Sequence, residues 1–262
     1  MQIQKWKRRK RVFWHESFAV QWNDAKIFTA HCPCDDLWCM IEGMIASNEE
    51  LIHELRSLGY LKTDRLAEAF IAADRKFFVP EAMSEHAYLN EPLPIGEGQT
   101  ISQPLVVAMT LEFLDIKAGE KILEIGTGSG WQTALCALVA YDERTSESNG
   151  GWDVVSIERI ATLHTAATAA IRAWNKGLSE RIVFLQGDGA RGDAEHMPYD
   201  KIISGASAAD DIPQAWKDQL KIGGRIVAPV KNSIVVLDKT GKNDFLKRDF
   251  LGYSFVPLVI GK

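Results

Sequence analysis

A glycine-rich turn, GTGSG at residues 126–130, directly follows an apolar run that predicts a β-strand. Such turns bring backbone N–H groups close to a ligand, which can be a dinucleotide, a phosphate or a cationic cofactor. The spacing G-x-G-x-G lacks the last glycine of the dinucleotide fingerprint, because Trp131 stands at that place. No lysine follows the glycines, so the turn is not a phosphate-binding loop either.

Three acidic residues stand at the ends of three successive predicted strands. Glu124 precedes the turn by two residues, Glu158 ends the strand WDVVSIE, and Asp188 follows the strand RIVFLQ. In an open parallel sheet, ligands bind at the carboxyl ends of the strands. Glu124 would repel a pyrophosphate and favour a cation, while Glu158 can accept two ribose hydroxyls and Asp188 can accept an adenine amino group. Each feature alone also fits an ordinary turn or a helix cap.

The combination predicts S-adenosylmethionine, which carries a sulfonium and an ammonium group and no phosphate. On this interpretation the pocket is built from carboxylates because its occupant is positively charged. The residues predicted to bind this cofactor are Glu124, Gly126, Thr127, Gly128, Gly130, Glu158, Asp188 and Gly189.

The elements around these residues predict an α/β fold. The strands KILEI, WDVVSIE, RIVFLQ, DKIISG and GGRIVAPV are separated by helices such as WQTALCALVA and IPQAWKDQL. Near-continuous apolar strands of this kind are typical of a mostly parallel sheet with helices on both faces. The stretch from SIVVLDK to FLGYSFVPLVI has strands without helices between them and predicts an antiparallel C-terminal edge. We therefore predict a Rossmann-like fold of the class I S-adenosylmethionine-dependent methyltransferases.

Regular structure is expected to begin at Ser47, which forms a capping box with Glu50. A second helix is expected after Thr63 or Asp64, and a third, LVVAMTLEFL, from residue 105. The segment between them, from about residue 77 to 104, is rich in Pro and Gly and predicts an extended loop.

The composition excludes several classes of protein. The 262 residues include 46% hydrophobic and 25% charged residues, as in an ordinary globular protein. The formal charge of −5 argues against a nucleic-acid binder, which usually has a basic surface. No apolar run approaches the roughly 20 residues of a membrane helix. His15 and Glu16 interrupt any signal-peptide core, so we predict a cytoplasmic location.

Residues 1–46 differ from the rest and predict an appendage. It is either loosely ordered or upstream sequence that is not translated, since Met40 and Met44 stand just before the regular part. The stretch HCPCDDLWC matches the spacing of no common zinc site, so we expect no metal there. Its cysteines are Cys32, Cys34 and Cys39.

The stretches FFVPEAMSEHAYLNEPLPIGEGQTISQP, KILEIGTGSGWQTALCALV, GDG and FVPLV resemble the protein-L-isoaspartate O-methyltransferases. The resemblance covers residues 47–262, with residues 47–104 on the substrate side and residues 105–262 as the cofactor-binding core. Its most specific element is GQTISQP at residues 98–104. The resemblance implies an enzyme that methylates the free α-carboxylate of L-isoaspartyl residues in damaged proteins, with isoaspartyl peptides as partners and a monomer as sufficient.

The resemblance also implies that Ser102 is the catalytic residue, orienting the acceptor carboxylate, and that Thr100, Ile101 and Gln103 bind substrate. A carboxylate is already ionised at neutral pH, so no general base is needed. The alternative for Ser102 is a helix N-cap, because it stands directly before the third helix.

Some residues depart from the family pattern. Glu97 places a negative charge beside an anionic substrate, SGASAADDIP alters the cofactor-side loop, and residues 142–151 form a polar insertion. Two alternative functions therefore stay open, a non-catalytic peptide-recognition module that binds S-adenosylmethionine and a methyltransferase for another carboxylate.

Overall fold

The structure is a computed structural model that describes residues 47–142 and 151–259. The predicted appendage at residues 1–46, with its cysteines, lies outside the described residues, as does most of the predicted polar insertion. None of the helices in the described ranges is long and apolar enough to cross a bilayer.

The first described segment is helical, as expected. Helix α1 (Asn48–Ser57) begins where the Ser47 hydroxyl accepts the N–H of Glu50 at 3.2 Å, which is one of the two hydrogen bonds of the predicted capping box. Helix α2 (Asp64–Ala72) follows.

The segment predicted as an extended loop contains regular structure. Two 3-10 helices (Arg75–Phe78 and Glu81–His86) precede a hairpin of strands β1 (Leu93–Gly96) and β2 (Gln99–Ile101). The hairpin closes because Glu97 and Gly98 both adopt positive φ values, 54° and 69°, as a tight two-residue turn requires. Helix α3 (Pro104–Leu114) then leads to the sheet.

The core is one seven-stranded sheet in the order β5-β4-β3-β6-β7-β8-β9. Its five leading strands are parallel, and β8 and β9 form the predicted antiparallel edge. The last strand, FLKRDFL, lies within the stretch that was predicted to form this edge. The strands are β3 (Ile122–Ile125), β4 (Val154–Glu158), β5 (Ile182–Gln186), β6 (Tyr199–Ser204), β7 (Leu220–Val230), β8 (Ser233–Lys239) and β9 (Phe245–Leu251).

Helices cover both faces of this sheet, as predicted. The helices of the core are α4 (Trp131–Ala140), α5 (Ala161–Trp174), α6 (Lys176–Ser179) and α7 (Gln214–Gln219). Side chains alternate along a strand, so Ile122 packs into one buried hydrophobic cluster, with α1–α5, and Leu123 into another, with Trp216 of α7. Strand order reverses between β3 and β6, which is where ligands bind in open α/β sheets.

Candidate active site

An open cavity lies at the carboxyl ends of β3, β4 and β6, with about 840 Å³ of free space, its mouth included. One wall comes from the hairpin strand β2 and the residues after it, and another from the glycine turn and the start of α4. The C-terminal segment, residues 256–259, forms a third wall. The lining residues that the sequence predicted are Thr100, Ile101, Ser102, Gly126, Thr127, Gly128, Glu158 and Gly189.

The glycine turn shapes the cavity floor. Gly126 and Gly130 adopt φ values of 86° and 87°, which side-chain-bearing residues rarely take. Gly126, Thr127 and Gly128 line the cavity, but Gly130 lies behind it and caps α4. A Cβ at Gly130 would come within 2.9 Å of Ile171 Cδ1 on α5, so this glycine permits close packing of two helices.

Glu158 is the single predicted acid whose side chain lies on the cavity wall. It is 6% exposed, and its two oxygens accept the backbone N–H groups of Gly128 and Ile160, each at 2.9 Å. A carboxylate offers about four acceptor sites, so both oxygens keep capacity for a ligand's hydroxyls. This donor pattern fits the two hydroxyls of a ribose.

Glu124 lies behind the cavity, although the sequence predicted that it would face the ligand. Its fully buried carboxylate accepts hydrogen bonds from Thr133 Oγ1, Ser156 Oγ (2.7 Å) and Gln132 Nε2 (3.0 Å). Burial raises the pKa of Glu124 to about 7, although these three donors oppose the shift. The physical reason for its placement is strand alternation, which turns this side chain toward α4, where Gln132 and Thr133 lie.

Asp188 also lies off the cavity wall. Its Oδ1 accepts the N–H of Ala190 at 3.0 Å and so caps the 3-10 helix Gly189–Arg191. Gly189 does line the cavity, and a Cβ there would come within 2.5 Å of Ile125 Cγ2. The two residues therefore shape one corner of the site in different ways, Asp188 by capping and Gly189 by being small.

Ser102 lies on the hairpin side of the same cavity. Its hydroxyl has no hydrogen-bond partner among residues 47–142 and 151–259, whereas its carbonyl accepts a bond from Arg75. Helix α3 begins at Pro104 with Gln103 at the N-cap position, so the structure does not use Ser102 as the cap. The Gln103 side chain donates to the Asn90 carbonyl at 2.8 Å and stays off the cavity wall.

Sequence reasoning missed part of the lining. Val256 and Leu258 exchange two backbone hydrogen bonds of 2.8 Å with Ser207, and the Val259 carbonyl accepts from Arg159 at 3.1 Å. Two features of the sequence could have indicated this part of the lining. The FVPLV stretch matches the family pattern, and the loop around Ser207 departs from it. The further lining residues are Gln99, Val107, Ile125, Ser129, Trp131, Gln132, Ile157, Arg159, Ile160, Leu163, Gly205, Ala206 and residues 256–259.

Glu97 does not line the cavity. It sits at the hairpin tip, where its Oε1 accepts a hydrogen bond of 2.9 Å from Thr162 Oγ1 at the start of α5. The contact links the hairpin to the cofactor side of the molecule.

The charges of the wall suit an adenosyl ligand without phosphate. Among the described lining residues, Arg159 is the one basic side chain, and its guanidinium donates to the Val259 carbonyl. A diphosphate would need cations or several free N–H groups beside the glycine turn. Here the N–H of Gly128 is already bonded to Glu158. The residues present therefore fit S-adenosylmethionine better than a nucleotide.

Comparisons with known proteins agree with this chemistry. The family model described as protein-L-isoaspartate(D-aspartate) O-methyltransferase matches residues 46–262. A protein-L-isoaspartate O-methyltransferase of Methanopyrus kandleri is 38% identical over 218 residues, covering 81% of this chain and 91% of the relative. One of Dictyoglomus turgidum is 41% identical over 213 residues, covering 80% and 90%. A Plasmodium falciparum structure described by the same enzyme name, with S-adenosyl-L-homocysteine bound, has a TM-score of 0.71 at 22% identity, covering 81% and 98%.

Proposed function

The chain belongs to the protein-L-isoaspartate(D-aspartate) O-methyltransferase family, and we propose that it methylates the free α-carboxylate of L-isoaspartyl residues in damaged proteins, with S-adenosylmethionine as the methyl donor. The observation that carries this proposal is one cavity that holds both the Glu158 carboxylate and the Ser102 hydroxyl, which has no hydrogen-bond partner in the part of the chain that the structure describes. The first can hold a ribose, and the second can meet an acceptor carboxylate.

On the cofactor side, we assign direct contacts to the lining residues. Glu158 would accept the ribose hydroxyls, and the turn at Gly126, Thr127 and Gly128 would pass close to the methionyl part. When bound, S-adenosylmethionine would supply the methyl group. The substrate carboxylate oxygen would bond to the methyl carbon as the carbon–sulfur bond breaks, which gives a methyl ester and S-adenosylhomocysteine. We assign indirect roles to Glu124, Gly130 and Asp188, which hold the turn, α4 and the 3-10 helix in place.

On the acceptor side, Ser102 would donate its hydroxyl hydrogen to one oxygen of the substrate carboxylate and so orient the other. Thr100 and Ile101 would contact the peptide, and Gln103 would support the segment through Asn90. The carboxylate is ionised at neutral pH, so the chain has no proton to remove. The contribution of the protein is to orient the reacting groups, which can lower an activation barrier by roughly 7–11 kcal/mol.

We further propose that residues 47–262 form the catalytic domain, with residues 47–104 on the acceptor side and residues 105–262 on the cofactor side. We propose a cytoplasmic monomer that acts on proteins and not on nucleic acids or membranes. The net charge of −5 supports the choice of protein over nucleic acid.

A paired-peptide assay tests the function. The purified protein is given S-adenosylmethionine with a labelled methyl group and either an L-isoaspartyl peptide or its normal aspartyl twin. We expect label in the isoaspartyl peptide alone. Equal labelling of both peptides contradicts the proposed specificity. Binding of peptide and S-adenosylhomocysteine without transfer over hours supports a recognition module, and transfer to small carboxylic acids alone supports another methyltransferase.

A further inference from the structure

Arg75 is a fully buried cation that the proposed mechanism does not use. It begins the 3-10 helix Arg75–Phe78 and has 0% exposure. Burial lowers the pKa of its guanidinium to about 10, which still leaves it protonated at neutral pH. A buried charge is costly unless it is well hydrogen-bonded, so its partners indicate its role.

The four hydrogen bonds that this guanidinium donates all go to backbone carbonyls of the acceptor side. Nη1 donates to Ala87 and Leu89 at 2.8 and 3.1 Å, and Nη2 donates to Glu91 and Ser102 at 2.9 and 3.2 Å. The planar fork of an arginine is the side chain that can reach several acceptors in fixed directions at once. Arg75 therefore joins residues 87–91 to the peptide unit that carries the Ser102 hydroxyl.

The same guanidinium contacts the cofactor side. Its central carbon lies 5.4 Å from the ring centroid of Trp131, the first residue of α4 and a lining residue of the cavity. The Trp131 indole N–H donates to the Ala73 carbonyl at 2.8 Å, two residues before Arg75. One buried side chain thus touches both walls between which a methyl group would move.

We propose that Arg75 is a positioning residue for methyl transfer. It fixes the Ser102 wall, which is strand β2 and the residues after it, relative to the start of α4. This inference rests on the proposed function. A lysine at position 75 keeps the charge but lacks the planar fork, so it can donate hydrogen bonds to only some of the four carbonyls. The Ser102 wall would then move, while the contacts assigned to the cofactor stay intact.

The test compares Arg75→Lys with Arg65→Lys. Arg65 also donates to two backbone carbonyls, those of Val139 and Tyr141, but it lies outside the cavity lining. For each variant we would measure kcat and KM with the isoaspartyl peptide, Kd for S-adenosylhomocysteine by calorimetry, and hydrogen exchange of the amides in residues 87–105.

For Arg75→Lys we expect a kcat at least tenfold lower, a Kd for S-adenosylhomocysteine within threefold of the parent protein, and faster exchange in residues 87–105. Arg65→Lys should keep kcat within twofold. An unchanged kcat in Arg75→Lys, or an equal loss of kcat and cofactor affinity, overturns the proposal, because the second result is what general destabilisation gives.

Two further outcomes are decisive. Arg75→Gln, which retains an amide donor, replaces Arg75→Lys should that variant not fold, and a failure of both to fold overturns the proposal by making Arg75 a folding residue. If the parent protein itself does not methylate the peptide, the proposed function fails. Arg75 is then judged on hydrogen exchange alone, and equal exchange in variant and parent overturns its positioning role.

Discussion

Glu158 accepts a hydrogen bond of 2.9 Å from the backbone N–H of Gly128, so the tip of β4 holds the turn that follows β3. The same carboxylate accepts the N–H of Ile160 at the start of the next helical segment. One side chain thus fixes the shape of the glycine turn and presents the remaining acceptor sites to the cavity.

Replacing Glu158 by Gln should weaken cofactor binding. The amide keeps one acceptor oxygen but turns an NH₂ group toward a backbone N–H, and it loses the charge that strengthens hydrogen bonds to hydroxyls. Hydrogen bonds to charged groups contribute about 1.5–3 kcal/mol. We therefore expect the Kd for S-adenosylhomocysteine to rise about tenfold to a hundredfold, measured by calorimetry.

The matched control is Glu112→Gln, because Glu112 also accepts two backbone N–H groups, those of Lys62 and Thr63, away from the cavity. It should leave the Kd within twofold. A Glu158→Gln protein with unchanged Kd would remove Glu158 from the ribose site.

Replacing Ser102 by Ala should slow methyl transfer without lowering the affinity for the cofactor. The Ser102 hydroxyl has no partner among the described residues, so its loss should barely change the free energy of unfolding. Losing one hydrogen bond to an oriented carboxylate costs about 1.4 kcal/mol, or about a tenfold lower kcat. Steady-state kinetics with the isoaspartyl peptide measure this. Ser57→Ala is the control, since its hydroxyl bonds within α1. Equal kcat for the Ser102 variant and the parent would argue against an orienting role.

Replacing Glu124 by Gln should alter the pH dependence of stability. Burial raises the pKa of Glu124 in the folded protein from its ordinary value near 4.5 to about 7. The protonated form is favoured on folding, so its contribution is fully present below about pH 4.5 and is lost as the pH rises through about 7.

As the pH rises between those two values, the parent protein should lose up to about 3 kcal/mol of its free energy of unfolding relative to Glu124→Gln. Urea unfolding at several pH values measures the difference, with the exposed Glu68→Gln as the baseline. Parallel curves for parent and Glu124→Gln would show that Glu124 is ionised in the same range in both states.

Replacing Gly130 by Ala should destabilise the protein more than the same change at Gly59. Both glycines have positive φ, 87° and 76°, which costs alanine roughly 1–2 kcal/mol. Nothing lies within 4 Å of a Cβ at Gly59, whereas one at Gly130 meets Ile171 Cδ1 at 2.9 Å. Overpacking adds about 1–3 kcal/mol, measured by urea unfolding.

Ile171→Val removes the Cδ1 atom that a Cβ at residue 130 would meet. The loss of free energy of unfolding in the double variant should therefore be smaller than the sum of the losses in the two single variants. Strict additivity, or equal losses for Gly130→Ala and Gly59→Ala, would contradict the packing role.

The sheet could be predicted because each strand carries its own signal. The apolar runs of β3–β8 are bounded by turns or helices. Strand β9, FLKRDFL, carries charged residues and was predicted only as part of the antiparallel edge at residues 233–260. The hairpin of β1 and β2 was missed because three- and four-residue strands show little alternation. Its turn depends on Glu97 adopting a positive φ, which the sequence does not announce.

The cavity wall could be predicted at most of the backbone positions and for the Glu158 side chain, but not for the side chains of Glu124 and Asp188. Gly130 lies behind the cavity, whereas Gly126, Gly128 and Gly189 are on its wall as expected. Glu124 is not, because its partners Thr133 and Ser156 come from an adjacent helix and strand and decide where the carboxylate points. Arg75 gave no signal at all, since its partners are carbonyls, which every residue has.

The C-terminal wall of the cavity is fastened through main-chain atoms. Val256 and Leu258 bond to Ser207 by N–H and carbonyl groups alone, and among single replacements only proline at 207 or 258 would delete such a bond. Apart from Leu258, which packs against the buried hydrophobic cluster that contains Trp216, the side chains of this wall can consequently change while the wall stays in place. Replacements at Val256, Pro257 or Val259 should therefore alter the outline of the cavity at little expense in folding.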